Sequence, residues 1–135
     1  MQWFKVPAKI YFERNSIQYL KDCKEMHKVF IVTDKSMIEL GFLPKIEEQL
    51  NQRNERPIMQ ICSGVEPDPD ISSVRKGAEM MKQFEPDTII ALGGGSVMDA
   101  AKGMWLFYEH PEVNLDDLKQ KFMDIRKRAF KYPEL

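Results

Sequence analysis

Three short, mostly apolar segments alternate with amphipathic segments along the chain, which is the pattern of a layered α/β fold. Residues 28–33 and 88–92 are rich in β-branched side chains and lack polar alternation, as expected of parallel strands that are covered on both faces. Residues 57–61 form a shorter strand candidate between them. Residues 9–12 are a further candidate near the N-terminus, with residues 3–4 as the expected partner.

Amphipathic segments with apolar side chains three or four positions apart predict the helices. The predicted helices cover residues 16–23, 44–54, 70–84, 96–109 and 115–122. Ile46 and Leu50 share one face of the second helix, and Val74, Ala78 and Met81 share one face of the third. Because parallel strands are joined by right-handed crossovers, this order predicts an α/β fold with a Rossmann-like parallel sheet and flanking helices.

The composition describes an ordinary globular domain and excludes two classes of partner. The 135 residues carry 20 Lys and Arg against 21 Asp and Glu, so the net charge of −1 provides no basic surface for nucleic acid. No apolar run approaches the ~18 residues of a transmembrane helix, so no membrane partner is expected. Cys23 and Cys62 stand far apart outside any CxxC pattern, which predicts two reduced thiols and a cytoplasmic location.

A run of glycines joins the last predicted strand to a helix and has two interpretations. Residues 93–95 are glycines, and a helix that begins near Ser96 presents free N–H groups that can bind a pyrophosphate, with the Ser96 hydroxyl as a further donor. Alternatively, Ser96 and Asp99 form a capping box in a tight turn. Both can hold at once. The run does not match G-x-G-x-x-G, because Met98 occupies the third glycine position.

Asp34 follows the first strong strand and also has two interpretations. A carboxylate at this place in a nucleotide-binding fold can accept hydrogen bonds from the ribose hydroxyls and repel a 2′-phosphate, which favours NAD over NADP. Alternatively, Asp34 caps the turn at residues 35–37. The acid precedes the glycine turn, whereas in the common dinucleotide fingerprint it follows the turn.

Three motifs in this order resemble the iron-containing alcohol dehydrogenase family. They are VTDK at residues 32–35, VEPDP at residues 65–69 and ALGGGSVMDAAK at residues 91–102, and the last is highly specific. Residues 3–12 are similar to the dehydrogenase half of bifunctional aldehyde-alcohol dehydrogenases. The resemblance covers essentially the whole chain. It implies that residues 1–135 are the N-terminal, dehydroquinate synthase-like NAD-binding portion, with a sheet incomplete relative to the full family domain.

The resemblance also implies a set of cofactor-binding residues. These are Asp34, Asp68, Gly94, Gly95, Ser96 and Asp99. In the family, the acid that matches Asp34 contacts the adenosine ribose, and Asp68 matches a residue at the adenosine end. The residues that match Gly94, Gly95 and Ser96 hold the pyrophosphate, and the one that matches Asp99 lies near the nicotinamide.

The resemblance implies no catalytic or metal-ligating residue in this chain. The family binds its divalent metal, usually iron, through an aspartate and histidines of a later helical domain, which we expect to be absent here. His27 and His110 are the only histidines, match no ligand position, and are expected at the surface. The family reaction is hydride transfer between NADH and a short aldehyde, with acetaldehyde and ethanol as the expected pair.

The chain by itself is therefore expected to be inactive. A second hypothesis is a non-catalytic module that associates into a homo-oligomer through an open sheet edge, or a truncated remnant of the enzyme.

Overall fold

The structure, a computed structural model, describes residues 7–113 of the chain. Its centre is a parallel sheet of three strands in the order β2-β1-β3. The strands are β1 (Lys28–Thr33), β2 (Ile58–Cys62) and β3 (Thr88–Leu92). The register places Ile31 of β1 between Ile61 of β2 and Ile90 of β3. The predicted α/β fold with a parallel sheet and flanking helices is confirmed.

Helices connect the strands and cover both faces of the sheet. They are α1 (Tyr19–Asp22), α2 (Lys35–Glu39), α3 (Phe42–Asn51), α4 (Ile71–Phe84) and α5 (Gly95–Glu109), with a 3₁₀ turn (Ser16–Gln18) before α1. Asp70 caps α4, since its carboxylate accepts the Ser73 N–H at 2.8 Å. The short helix α2 was not predicted. Within residues 7–113, no helix is long and apolar enough to cross a bilayer.

The central strand β1 has an apolar sequence because both of its faces are covered by helices. Phe30 and Val32 pack in a cluster with α4 and α5 on one face. Val29 and Ile31 pack in a second cluster with α3 on the other face. All four side chains are completely buried. A doubly covered strand needs no polar alternation, and the prediction for this segment is confirmed.

The N-terminal segment departs from the prediction. Residues 9–12 are irregular rather than a strand, and Phe12 is 93% exposed. A strand needs a neighbour to bond its N–H and C=O groups, and no strand among residues 7–113 lies beside this segment. The Tyr11 ring instead stacks on Tyr19, with 3.9 Å between the ring centroids. The predicted partner at residues 3–4 and the predicted helix at residues 115–122 lie outside the described residues.

Arg53, just beyond α3, anchors the segment that contains α1. Its two terminal guanidinium nitrogens donate hydrogen bonds at 2.5–3.2 Å to four backbone carbonyls at the end of α1. The acceptors are the carbonyl oxygens of Leu20, Lys21, Cys23 and Lys24. Carbonyls at a helix C-terminus have no partner within their helix, and a cation there is favourable. One side chain therefore closes α1 and ties it to the C-terminal end of α3.

We expect Arg53→Ala to lower the free energy of unfolding by about 2 kcal/mol, because hydrogen bonds to a charged donor contribute more than neutral ones. Amide hydrogen exchange should accelerate in residues 19–24, and urea denaturation measures the stability. Arg53→Lys should not restore it, since a compact ammonium cannot span four carbonyls as the planar guanidinium does. The control is Arg56→Ala at an exposed position. An equal loss in the control would contradict the anchoring role.

Candidate functional site

The loops that follow the three strands surround one cavity at the carboxyl edge of the sheet. The cavity has a volume of about 280 Å³ and is lined by residues 34–36 after β1, 63–67 after β2 and 94–97 after β3. After β1 the chain forms β2 on one side of β1, and it then forms β3 on the opposite side of β1. The strand order therefore reverses beside β1, and doubly wound sheets bind ligands at such a point.

Four of the six predicted cofactor-binding residues meet at this cavity. They are Asp34, Gly94, Gly95 and Ser96. Asp68 is exposed, has a positive φ of 49°, and follows the lining residue Pro67 without lining the cavity itself. Asp99 is exposed on α5, about one turn beyond Gly95, and also lies outside the lining. The structure thus brings together the predicted ribose and pyrophosphate residues.

Asp34 is the N-cap of α2. Its Oδ1 atom accepts a hydrogen bond from the Met37 N–H at 2.9 Å. The capping interpretation from the sequence is therefore confirmed. It does not compete with ribose binding, because an ionised carboxylate has a second oxygen and about four lone-pair sites. The half-buried carboxylate caps the helix with one atom while it lines the cavity.

The glycine turn begins α5 earlier than the sequence suggested. The helix starts at Gly95 with Gly94 as its N-cap, and no side chain supplies a cap hydrogen bond. The predicted capping box of Ser96 and Asp99 is wrong, because Ser96 falls at the second position inside the helix rather than at the cap. The first backbone N–H groups of α5 therefore have no intrahelical acceptor and lie at the cavity.

The three glycines of the turn have different physical roles. A Cβ atom on Gly93 would lie 2.6 Å from the Val97 Cγ2 atom, and the φ of Gly93 is 157°. The local fold therefore requires glycine at this position. A Cβ atom on Gly94 or Gly95 would meet no atom within 4 Å. The space above these two glycines is open, so that a phosphate group can approach the backbone N–H groups, and the residues present fit a pyrophosphate.

Several residues that line this cavity were not predicted from the sequence. Lys35 and Ser36 follow Asp34, and Ser63, Gly64 and Glu66 belong to the loop after β2. All of them lie in the loops that follow a predicted strand, which is the signal that could have identified them.

The loop after β2 also borders a second cavity of about 340 Å³. Cys62 lies in the wall of this second cavity, and burial raises the pKa of its thiol. A raised pKa favours the protonated thiol, so Cys62 is not activated as a nucleophile. Both cysteines are free thiols.

The described residues do not provide a site for the divalent metal of the family that the sequence resembles. Between residues 7 and 113, no three His, Cys, Asp or Glu side chains lie close enough together to hold a metal ion. His27 is exposed as expected. His110 is partly exposed, with 20% of its side chain accessible, and its Nδ1 lies 3.3 Å from the Glu112 carboxylate.

Similarities in sequence and in fold to known proteins point to the same family. Residues 7–132 match the family described as iron-containing alcohol dehydrogenase. The chain is 64% identical over 135 residues to the aldehyde-alcohol dehydrogenase of Streptococcus pneumoniae, of which it spans 15%. It is 44% identical over 131 residues to the NADPH-dependent butanol dehydrogenase of Clostridium saccharobutylicum, with 96% of this chain and 33% of that protein covered.

The fold is similar to that of the iron-containing alcohol dehydrogenase from Thermococcus thioreducens, with a TM-score of 0.77 and 26% sequence identity. The similarity covers 86% of this chain and 30% of that one. The chain therefore corresponds to a part of its longer relatives.

Proposed function

Because the chain belongs to the iron-containing alcohol dehydrogenase family, we propose that it is the N-terminal NAD(H)-binding portion of a dehydrogenase. The whole enzyme interconverts a short-chain aldehyde and its alcohol, with acetaldehyde and ethanol as the expected pair. The name of the Streptococcus pneumoniae relative, an aldehyde-alcohol dehydrogenase, supports an aldehyde and an alcohol as the substrate pair. Since the chain spans 15% of that relative, we propose that the metal ligands and substrate contacts belong to other segments and that this chain alone does not turn over.

The observation that carries the proposal is the convergence of Asp34 with Gly94, Gly95 and Ser96 on one cavity. In this proposal the N–H groups at the start of α5 and the Ser96 hydroxyl donate to the pyrophosphate, and the positive end of the helix dipole favours its charge. Asp34 accepts hydrogen bonds from the adenosine ribose. When bound, the nicotinamide of NAD carries the hydride of the reaction.

The volume of the cavity supports a partial site. At about 280 Å³ it is slightly smaller than the roughly 300–1,000 Å³ that is usual for small-molecule sites. A cavity of this size accommodates a part of a dinucleotide, and the ribose and diphosphate are the groups that its lining suits. The remaining contacts would come from the rest of the enzyme.

The proposal is tested by titrating NADH into the full 135-residue chain and following the NADH fluorescence. We expect weak, saturable binding, and no ethanol oxidation when NAD⁺ and ferrous iron are supplied. A well-folded chain that shows no saturable NADH binding would contradict the cofactor site. Steady turnover by the isolated chain would contradict the assignment of catalysis to other segments.

Asp34→Ser should change the cofactor preference of the chain, which is a relevant property because the Clostridium relative is NADPH-dependent by name. Serine is also a good N-cap, so α2 is retained while the carboxylate is lost. We expect the affinity for NADH to fall about tenfold, as for the loss of a charged hydrogen-bond partner. The affinity for NADPH should fall less or rise, because the charge that repels its 2′-phosphate is removed.

The matched control is Asp70→Ser, the same substitution at the N-cap of α4, where the carboxylate also accepts a backbone N–H. Asp70 does not line the cavity, so the ratio of NADH to NADPH affinity should stay at the wild-type value. An unchanged ratio in Asp34→Ser would contradict the contact between Asp34 and the ribose.

A further inference from the structure

Thr33 is the one buried polar side chain among residues 7–113, and it is completely buried. Its hydroxyl donates a hydrogen bond to the Leu92 carbonyl oxygen at 2.8 Å. Burying a hydroxyl is unfavourable unless it is hydrogen-bonded, and valine would fill nearly the same volume without that cost. The other buried side chains of β1 are all apolar. The polar exception therefore suggests a role beyond packing.

The hydrogen bond joins the two strand ends that lead into the candidate site. Thr33 is the last residue of β1, and Leu92 is its register partner and the last residue of β3. Asp34 follows the first of them directly, and Gly93 follows the second. The bond from Thr33 to Leu92 thus lies one residue before the carboxylate on one strand and one residue before the glycine turn on the other.

We propose that Thr33 is a positioning residue for ligands that contain an adenosine diphosphate group. This inference rests on the proposed NAD(H) site. The Thr33 hydroxyl holds the ends of β1 and β3 at the separation at which one ligand reaches Asp34 with its ribose and Gly94 and Gly95 with its phosphates. Thr33 itself does not line the cavity, so it acts only through the residues beside it.

A positioning role and a purely structural role of Thr33 predict different losses of affinity for ADP and for adenosine when Thr33 is replaced. ADP bridges the two halves of the site, because it contains both the ribose and the diphosphate. Adenosine contacts only the half that contains Asp34. If Thr33 fixes the separation of the halves, its loss weakens the bridging ligand selectively. If Thr33 only stabilises the sheet, its loss affects both ligands alike, through the fraction of folded protein.

The experiment measures ADP and adenosine affinities of the full chain by NMR titration, which detects weak binding. We expect Thr33→Val to weaken ADP binding about five- to tenfold, because ADP binding must then restore the separation of the strand ends at a cost of up to one hydrogen bond, and adenosine binding less than twofold. Thr33→Ser retains the hydroxyl and should bind ADP as the wild type does. Thr33→Ala is a second variant without the hydroxyl if Thr33→Val does not fold.

The matched control is Ile31→Val, a substitution of similar energetic cost at another fully buried position of β1, two residues from Thr33. It should leave ADP binding unchanged. The positioning role is overturned if Thr33→Val weakens both ligands equally, or if Ile31→Val weakens ADP binding as much as Thr33→Val does.

Two further outcomes separate this role from the proposed function. If the wild type binds ADP and Gly95→Asp abolishes that binding while Thr33→Val does not change it, only the positioning role fails. If the folded wild type binds neither ADP nor NADH, the proposed cofactor site fails, and the positioning role fails with it.

Discussion

Gly95→Asp should abolish NADH binding to the full chain while it leaves the free energy of unfolding within about 1 kcal/mol of the wild-type value. A Cβ atom at this position meets no atom within 4 Å, so the new side chain fits the folded backbone. A carboxylate in the first turn of α5 also interacts favourably with the helix dipole. The fold therefore tolerates the substitution, and only a ligand in the cavity is affected.

The effect on binding is large because the introduced carboxylate occupies the place proposed for the pyrophosphate. Two unit charges about 4 Å apart repel by roughly 4 kcal/mol at the effective dielectric constant near a protein surface. That repulsion corresponds to a loss of affinity of about a thousandfold, and the carboxylate also removes the open space above the backbone N–H groups. Titration of NADH, followed by its fluorescence, measures the loss.

The control for the added charge is Met98→Asp on the same helix. Met98 is 46% exposed and does not line the cavity, so the same charge is placed near the start of α5 without entering the site. We expect NADH binding close to that of the wild type. If Met98→Asp and Gly95→Asp weaken NADH binding equally, the loss of affinity is caused by the added charge on the helix. The proposed pyrophosphate site at Gly95 would then be contradicted.

The sheet could be predicted from the sequence because strands that are buried on both faces consist mostly of apolar residues. Val29 to Val32 are all apolar since α3 covers one face of β1 while α4 and α5 cover the other. The same composition cannot distinguish a paired strand from an unpaired one. Residues 9–12 carry a strand-like pattern but lie outside the sheet, because pairing depends on a neighbour that the segment's own sequence does not specify.

The proximity of Asp34 to the glycine turn could be predicted only from the order of the strands in the sheet. In sequence the acid precedes the glycines by about sixty residues, which departs from the common dinucleotide fingerprint. Because β1 pairs directly with β3, Asp34 and Gly94 meet at one cavity despite that separation. The short helix α2 was missed for a local reason, since Ile38 in the helix and Leu40 at its C-cap are both exposed and do not form an amphipathic pattern.

The capping box failed because the start of a helix depends on backbone geometry that three consecutive glycines leave undetermined. Sequence alone treats Gly93, Gly94 and Gly95 as equivalent. In the structure only Gly93 combines a positive φ with a close contact, and that contact is to Val97. The turn therefore contains one glycine required by the fold and two whose open space suits a ligand, and substitutions can separate the two requirements.

Gly93→Ala should lower the free energy of unfolding by about 3 kcal/mol, from backbone strain and overpacking together. The φ of 157° is unfavourable for alanine, and the added Cβ atom would lie 2.6 Å from Cγ2 and 2.8 Å from Cβ of Val97. Val97 cannot rotate away easily, because it is β-branched, only 1% exposed and held in the first turn of α5. Urea denaturation of the full chain measures the loss.

Gly94→Ala is the matched control, because Gly94 has a φ of −82° and a Cβ atom there meets nothing within 4 Å. It should change the stability by less than about 0.5 kcal/mol. The double variant Gly93→Ala/Val97→Ala should cost less than the sum of its single variants, since the second substitution removes the methyl groups that the new Cβ atom meets. Equal losses in Gly93→Ala and Gly94→Ala, or strict additivity in the double variant, would show that the contact with Val97 does not determine this turn.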